Sequence, residues 1–191
     1  AEAGVSWEEP GCGWTPKFCR EVDMTKERTK FLSRATLGAL PVVEGRMVQA
    51  HRFGVKGHVS GTGRGALWET YPIGGSRISP QFWIRPHDIP HANQHRSDVL
   101  RVGFCDIAGQ TNERSLMASL IPAGVVCGNK VPTILFPDDP SEERLLVWVS
   151  IANSFVFDWM LRRILTTTVN YFLLQSVPMP KLAKEGLPWN R

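Results

Sequence analysis

Residues 101–122 read RVGFCDIAGQTNERSLMASLIP, and the way this stretch divides decides the fold class. Residues 100–107 are apolar at most positions and carry Val102, Phe104 and Ile107, the residue types that fit a pleated, half-buried surface, so a strand is expected there. Thr111 is a suitable N-cap, Glu113 falls in the following first turn where it meets the positive end of the helix dipole, and Pro122 stops regular structure. A helix over residues 112–120 is therefore expected after the strand. A strand followed at once by a helix points to a mixed α/β (α+β) domain.

Working outward, residues 145–165 form the longest apolar run, in a segment from about Ser141 to Leu165. Asp139 can cap it, Pro140 suits a first turn, Glu142 and Glu143 lie at its positive end and Arg162 and Arg163 near its negative end. This predicts one long helix near the C-terminus, apolar on most sides and buried against a sheet. Short apolar segments predict strands at 39–43, from Met47 onward, at 81–85, 124–127 and 133–136. Residues 169–174 suit a last strand or a helical turn, and Pro178 and Pro180 end the pattern. Residues 54–65 (GVKGHVSGTGRG) are rich in glycine and predict a flexible loop. Residues 1–30 show little periodicity and read as an irregular lead-in, with a short helix starting near Met24.

Composition is ordinary for a globular chain of 191 residues, with 42% hydrophobic and 21% charged residues. The net charge of +4 and pI near 9.0 suit a phosphate-facing surface without requiring one. Six residues separate Cys12 from Cys19, where a zinc knuckle has two, and Cys105 and Cys127 sit in apolar runs. All four read as reduced thiols of a cytoplasmic protein, with a Cys12–Cys19 disulfide left open. Ser150, Asn153, Ser154, Asp158, Arg162 and Arg163 interrupt the apolar run, so no membrane span is expected. The chain opens on Ala1 without a Met or a signal-peptide pattern, which suggests a piece of a longer protein.

Chemistry-bearing constellations are few. His87, His91 and His95 are spaced by four, but Pro86 and Pro90 break the helix on which that spacing would gather ligands. They read as solvated or phosphate-facing histidines, and no metal is expected. Gly61-Thr62-Gly63-Arg64-Gly65 lacks the Lys-Ser/Thr ending of a nucleotide-binding loop. Asp106, Glu113 and Arg114 read as an ion pair or capping contact tying strand to helix. The strongest asymmetry is positive charge. Between Arg46 and Arg101 only Glu69, Asp88 and Asp98 interrupt Arg52, Lys56, His58, Arg64, Arg77, Arg85 and Arg96. Arginine pairs bidentately with guanine, and Gln or Asn with adenine. Gln49, Gln81, Asn93 and Gln94 supply the amides.

Several segments resemble, in order, the target recognition (TaqI-like specificity) domain of bacterial restriction–modification adenine-N6 DNA methyltransferases of the type IIG-like and phage-exclusion kind. They are Trp14-Thr15-Pro16-Lys17-Phe18 with Asp23-Met24-Thr25, Leu40-Pro41-Val42-Val43-Glu44-Gly45-Arg46-Met47, Arg101-Val102-Gly103-Phe104-Cys105-Asp106-Ile107-Ala108, Thr111-Asn112-Glu113-Arg114-Ser115, Asn153-Ser154-Phe155-Val156-Phe157-Asp158 and Val177-Pro178-Met179-Pro180. Val43 stands where the family commonly has an aromatic, and Cys105 where it has Arg. The resemblance covers most of residues 14–182. It implies a lead-in over 1–38 from a catalytic domain, a recognition domain over 39–182 and a tail over 183–191. It also implies that S-adenosylmethionine and the methyl transfer belong to a catalytic domain elsewhere, since no Asp/Asn/Ser-Pro-Pro-Tyr/Phe tetrapeptide occurs here.

The expected function is thus a DNA-reading module with no catalytic residue and no cofactor of its own. Double-stranded DNA and the catalytic domain are its expected partners, and the expected DNA-binding set is Arg46, Arg52, Lys56, His58, Arg64, Arg77 and Arg96. The alternative is a docking module for the catalytic half or a partner subunit, built on the long apolar helix and the Pro-rich tail. An independent small enzyme is the third reading, disfavoured because no catalytic constellation is visible.

Overall fold

The computed structural model describes residues 6–7, 12–108 and 112–182, with the side chain of Arg64 left aside. The fold is mixed α/β. Its centre is a four-stranded antiparallel sheet in the order β1-β11-β8-β9: β1 (Lys17–Cys19), β11 (Thr133–Leu135), β8 (Arg101–Phe104) and β9 (Ala118–Ile121). Beside it lies a three-stranded sheet of β10 (Val126–Cys127), β2 (Leu40–Val43) and β7 (Trp83–Ile84), in which β10 runs parallel to β2. Two hairpins complete the β structure: β3 (Val48–Gln49) with β4 (Arg52–Phe53), and β5 (Lys56–Ser60) with β6 (Leu67–Thr70). The helices are α1 (Glu143–Ala152), α2 (Phe155–Arg162) and α3 (Tyr171–Ser176).

Strand alternation gives the central sheet two apolar faces. Val102, Phe104, Ala118 and Ile134 point to one side, where Leu145, Trp148, Val149 and Ala152 of α1 cover them. Those four helical residues recur at the spacing of one α-helix face. On the other side, Ile121, Val131 and Cys127 pack with Met47 and Val48 and with half-buried Phe53 and Trp68 of the hairpins. Gly103 lets this second layer close: a Cβ there would meet Ile121 Cγ1 at 2.7 Å and Val131 Cγ1 at 3.0 Å. A third cluster, Val22, Val42, Ile84, Ile89 and Val126, lies at the three-stranded sheet.

The expected helix over 112–120 does not form. Thr111 lies outside the described residues, and residues 118–121 are strand β9, paired with β8 over four positions from Arg101↔Ile121 to Phe104↔Ala118. Side chains from the helical layer hold the segment. Asn153 Oδ1 accepts the Ala118 N–H and its Nδ2 donates to the Ala118 carbonyl, while Asp158 Oδ1 accepts the Ser115 N–H. The tertiary ladder outweighs the local helical signal.

The expected long helix over 141–165 is two helices diverging by 61°. The break falls at Asn153-Ser154. Ser154 adopts extended dihedrals (φ −70°, ψ 153°) and its side chain caps α2 by accepting the Phe157 N–H, and Asn153 is drawn to Ala118. Asp139 does serve the start of α1, its Oδ2 accepting the Arg144 N–H at 2.7 Å. Only α1 is buried in the expected manner; α2 leaves Phe155, Val156 and Trp159 exposed. Among the described residues, no single helix is long and apolar enough to cross a membrane.

Three further expectations need correction. Residues 54–65 are strand β5 and a 3-10 turn at Gly63–Gly65 rather than a loop throughout. Gly57 is there for close packing: a Cβ would collide with Tyr71 Oη. The N-terminal residues are not a lead-in outside the packed unit either. Trp7, Trp14 and Val22 are buried, and β1 pairs with β11. Trp7 Nε1 donates to the Val177 carbonyl and Trp14 Nε1 to the Pro180 carbonyl. The described chain therefore does not divide at residue 38. The short helix expected from Met24 is reduced to a 3-10 turn at Arg28–Lys30, and residues 171–176 are helical.

The N-terminal segment also supplies the partner of the only fully buried guanidinium among the described residues. Arg101 Nε and a terminal nitrogen donate to the two Glu21 carboxylate oxygens at 2.5 and 3.0 Å, with Arg101 0% and Glu21 1% exposed. Removing one charge from such a pair strands the other in low dielectric. Glu21→Gln is expected to destabilise the fold by about 3–5 kcal/mol, read as a fall in the urea midpoint at constant m-value. A shift under ~1 kcal/mol would mean that the pair is dispensable.

Candidate nucleic-acid interface

The hairpins on the face opposite α1 carry most of the positively charged residues singled out by sequence. A 3-10 turn, Gly45–Met47, places Arg46 on the surface by burying its neighbour Met47. The Arg46 guanidinium lies 4.8 Å over the ring of Trp68 on β6. Lys56 at the start of β5 and Lys130, in the turn before β11, face the same groove of about 440 Å³. Glu44, Trp68 and Cys105 also line it.

The groove is not uniformly positive. Burial pushes the Glu44 carboxyl above its ordinary pKa, against the opposing pull of Arg46 and His58. Glu44 Oε1 and Trp68 Nε1 are both shielded from solvent and lack a hydrogen-bond partner within the chain. Each therefore carries unused hydrogen-bonding capacity, one acceptor and one donor. Lys130 sits 3.8 Å from Asp106, which Arg20 also pairs at 2.8 Å. Asp106 thus ties β8 to the N-terminal segment and the Lys130 turn; it does not form the expected charged cluster with Glu113 and Arg114.

A second group surrounds Tyr71. The exposed Arg77 places its guanidinium 4.5 Å over that ring. Arg52 on β4 donates to the Tyr71 and Pro72 carbonyls, so its head group is partly spent on holding the strand end. His58 is edge-on to Trp68, and its Nε2 lies 2.8 Å from the Gly61 carbonyl. The backbone of Arg64 lies in the 3-10 turn that follows β5.

Arg96 is not part of this surface. It is 5% exposed and donates to Thr133 Oγ1 and the Lys17 carbonyl, joining the 3-10 segment His91–Asp98 to β1 and β11. Its assignment to DNA binding is corrected to a structural one. Three of the four candidate amides are likewise engaged inside the fold: Gln81 donates to the Gly61 carbonyl, Asn93 to the Arg20 and Glu21 carbonyls and Gln94 to the Ile89 carbonyl. Gln49 instead borders a depression with Asn112, Glu113 and Arg114.

His87, His91 and His95 are exposed, and His87 approaches Asp88 at 3.7 Å. Among the described residues, no group of three or more His, Cys, Asp or Glu side chains is placed to hold a metal ion. All four cysteines are free thiols, so the Cys12–Cys19 disulfide does not form. Burial, reinforced by nearby Glu21, pushes the Cys127 thiol well above its ordinary pKa and keeps it neutral.

Sequence reasoning missed Trp68, Glu44 and Lys130 as members of one groove. Trp68 sits in Leu67–Thr70, which reads LWET and does not alternate apolar with polar, so periodicity gave no signal for a hairpin partner of β5. The chain matches no protein-family model, and no curated protein is significantly similar to it.

The burial of Arg96 separates structural from surface arginines by experiment. Arg96→Ala leaves the Lys17 carbonyl and Thr133 hydroxyl short of a buried partner, an expected loss of about 1–3 kcal/mol in a thermal or urea melt. Arg77→Ala, on the exposed surface, is expected to change stability by no more than ~0.5 kcal/mol.

Proposed function

We propose that the chain is the DNA-holding and sequence-reading module of a site-specific adenine-N6 methyltransferase. The carrying observation is the convergence of Arg46, Lys56 and Lys130 on one groove beside Trp68. Clustered Lys and Arg neutralise successive phosphates and release their counterions, which supplies affinity without sequence preference. Arg77 and Arg52, around Tyr71 on the strand-and-turn region joined to the same hairpins, extend the cationic surface.

Reading of sequence needs donors and acceptors that the fold itself does not consume. Glu44 Oε1, an acceptor, and Trp68 Nε1, a donor, are uncommitted but shielded, so they serve a base only where the groove opens on contact with DNA. The order of segments resembling the recognition domains of adenine methyltransferases supports the same reading. In it, this chain contributes no catalytic group. A partner catalytic domain in the same polypeptide holds S-adenosylmethionine and receives the adenine turned out of the duplex. A cytoplasmic location goes with that role.

The test is a fluorescence-anisotropy titration of the 191-residue chain with labelled random duplex DNA across a salt series. Log K is expected to fall linearly with log salt, and Arg46→Ala, Lys56→Ala and Lys130→Ala should each reduce the slope by about 0.9 if each neutralises one phosphate. Absence of binding at low salt, or a slope unmoved by all three substitutions, would overturn the proposal.

A further inference from the structure

Helix α2 carries an apolar ridge that the described residues leave uncovered. Phe155, Val156 and Trp159 are 81%, 67% and 61% exposed. The opposite side of the same helix is fixed: Phe157 and Leu161 lie in the main core, and Asp158 holds the Ser115 N–H. The ridge thus has a rigid base, and its exposed side chains do not support the core. Contiguous exposed apolar surface of this kind marks an interaction site.

The ridge has shape as well as apolarity. On one side a depression of about 540 Å³ is walled by Ile151, Val156, Phe157, Met160, Pro178 and Pro180. On the other a depression of about 470 Å³ lies between Phe155, Val156, Trp159 and Arg162. Val156 belongs to both, so a bound segment could straddle it and place a side chain in each. Two separate depressions favour discrete side-chain anchors.

The charges around the ridge select the partner. Arg114 lies 4.4 Å over the Phe155 ring and Arg163 4.8 Å over the Trp159 ring. Arg162 borders the second depression and pairs with Asp158 at 3.3 Å. Asp158 is buried and engaged on both oxygens, by Ser115 N–H and Arg162. Glu113 is the exposed acid of the neighbouring segment, its carbonyl accepting from Arg162. The apolar surface is therefore framed mainly by arginine. Arg114 also donates to the Asn153 carbonyl, so the exposed Arg163 is the charge that carboxylates at a partner's edge would meet with opposite sign.

We infer that α2 and its two flanking depressions bind an apolar segment of a partner protein that carries Asp or Glu beside its anchoring side chains. This site is separate from the cationic groove and does not depend on the DNA-reading proposal.

A phage-displayed random peptide library panned on the 191-residue chain provides the probe. Enriched peptides are expected to pair aromatic or aliphatic anchors with flanking Asp or Glu. Synthetic versions should lose roughly tenfold or more in affinity for Trp159→Ala and for Arg163→Glu. Both substitutions lie on the exposed surface, and an unchanged melting curve shows that the fold persists. Replacing the peptide acids by Lys should weaken binding to the unaltered chain and restore it to Arg163→Glu. Four outcomes overturn the inference. They are no enrichment, peptides that bind both variants as well as the unaltered chain, concentration-dependent dimerisation abolished by Trp159→Ala, and Trp159-dependent co-sedimentation with phosphatidylcholine–phosphatidylserine vesicles. The DNA salt series repeated on Trp159→Ala, expected to be unchanged, keeps this result distinct from that of the groove.

Discussion

Glu21 and Arg101 face each other where water does not reach, and three parts of the fold are built around satisfying them. Beyond its two bonds to the carboxylate, Arg101 donates to the carbonyls of Val99, Pro122 and Val125. Glu21 Oε2 also accepts the Cys127 N–H at 2.7 Å. The pair therefore sits at a junction of the segment after β1, the central strand β8 and the start of the three-stranded sheet at β10. Desolvating two charges costs several kcal/mol, and the cost is offset only when geometry and remaining hydrogen bonds are nearly complete. Here the requirement fixes register: a shift of β8 by one residue would turn Arg101 toward α1 and carry Val102 off its core.

The closeness of the layers follows from the same arrangement. Gly103, two residues on from Arg101 along β8, faces Ile121 and Val131 with no room for a methyl group. The two sides of β8 thus do opposite things. Val102 and Phe104 fill a broad apolar layer under the helices, while Arg101 and Gly103 admit a buried charge and a close neighbour.

Strands were the most legible part of the sequence. Apolar alternation and turn residues located β2, β7, β8, β10 and β11 within a few residues. Errors arose where distant side chains decided local conformation. Residues 112–120 carry a plausible helical pattern, but β8 offers a full ladder and Asn153 and Asp158 claim the adjoining backbone. The Asn153-Ser154 pair carried a legible signal for a helix break, since both residue types favour caps over helix interiors. The run of apolar residues around it obscured that signal. For the candidate site, positive charge was legible as a residue type but not as a location. Arg46 and Lys56 reach a groove, whereas Arg96 and Arg101 are interior struts, and nothing in their local sequence separates the two groups. Lys130 joined the groove through tertiary contact alone.

The hydrogen bonds from Trp7 to Val177 and from Trp14 to Pro180 span 170 and 166 residues. The strand that follows, β1, has its ladder partner β11 more than a hundred residues downstream. During synthesis these two tryptophans and this strand would emerge well before the residues that pair with them existed. Long-range pairing of this kind slows folding because loop closure precedes the contacts that reward it. It also keeps apolar surface open to wrong partners during the wait. The stitching that ties the two ends of the described chain together therefore makes its production the vulnerable stage, until the segment carrying Val177 and Pro180 has followed.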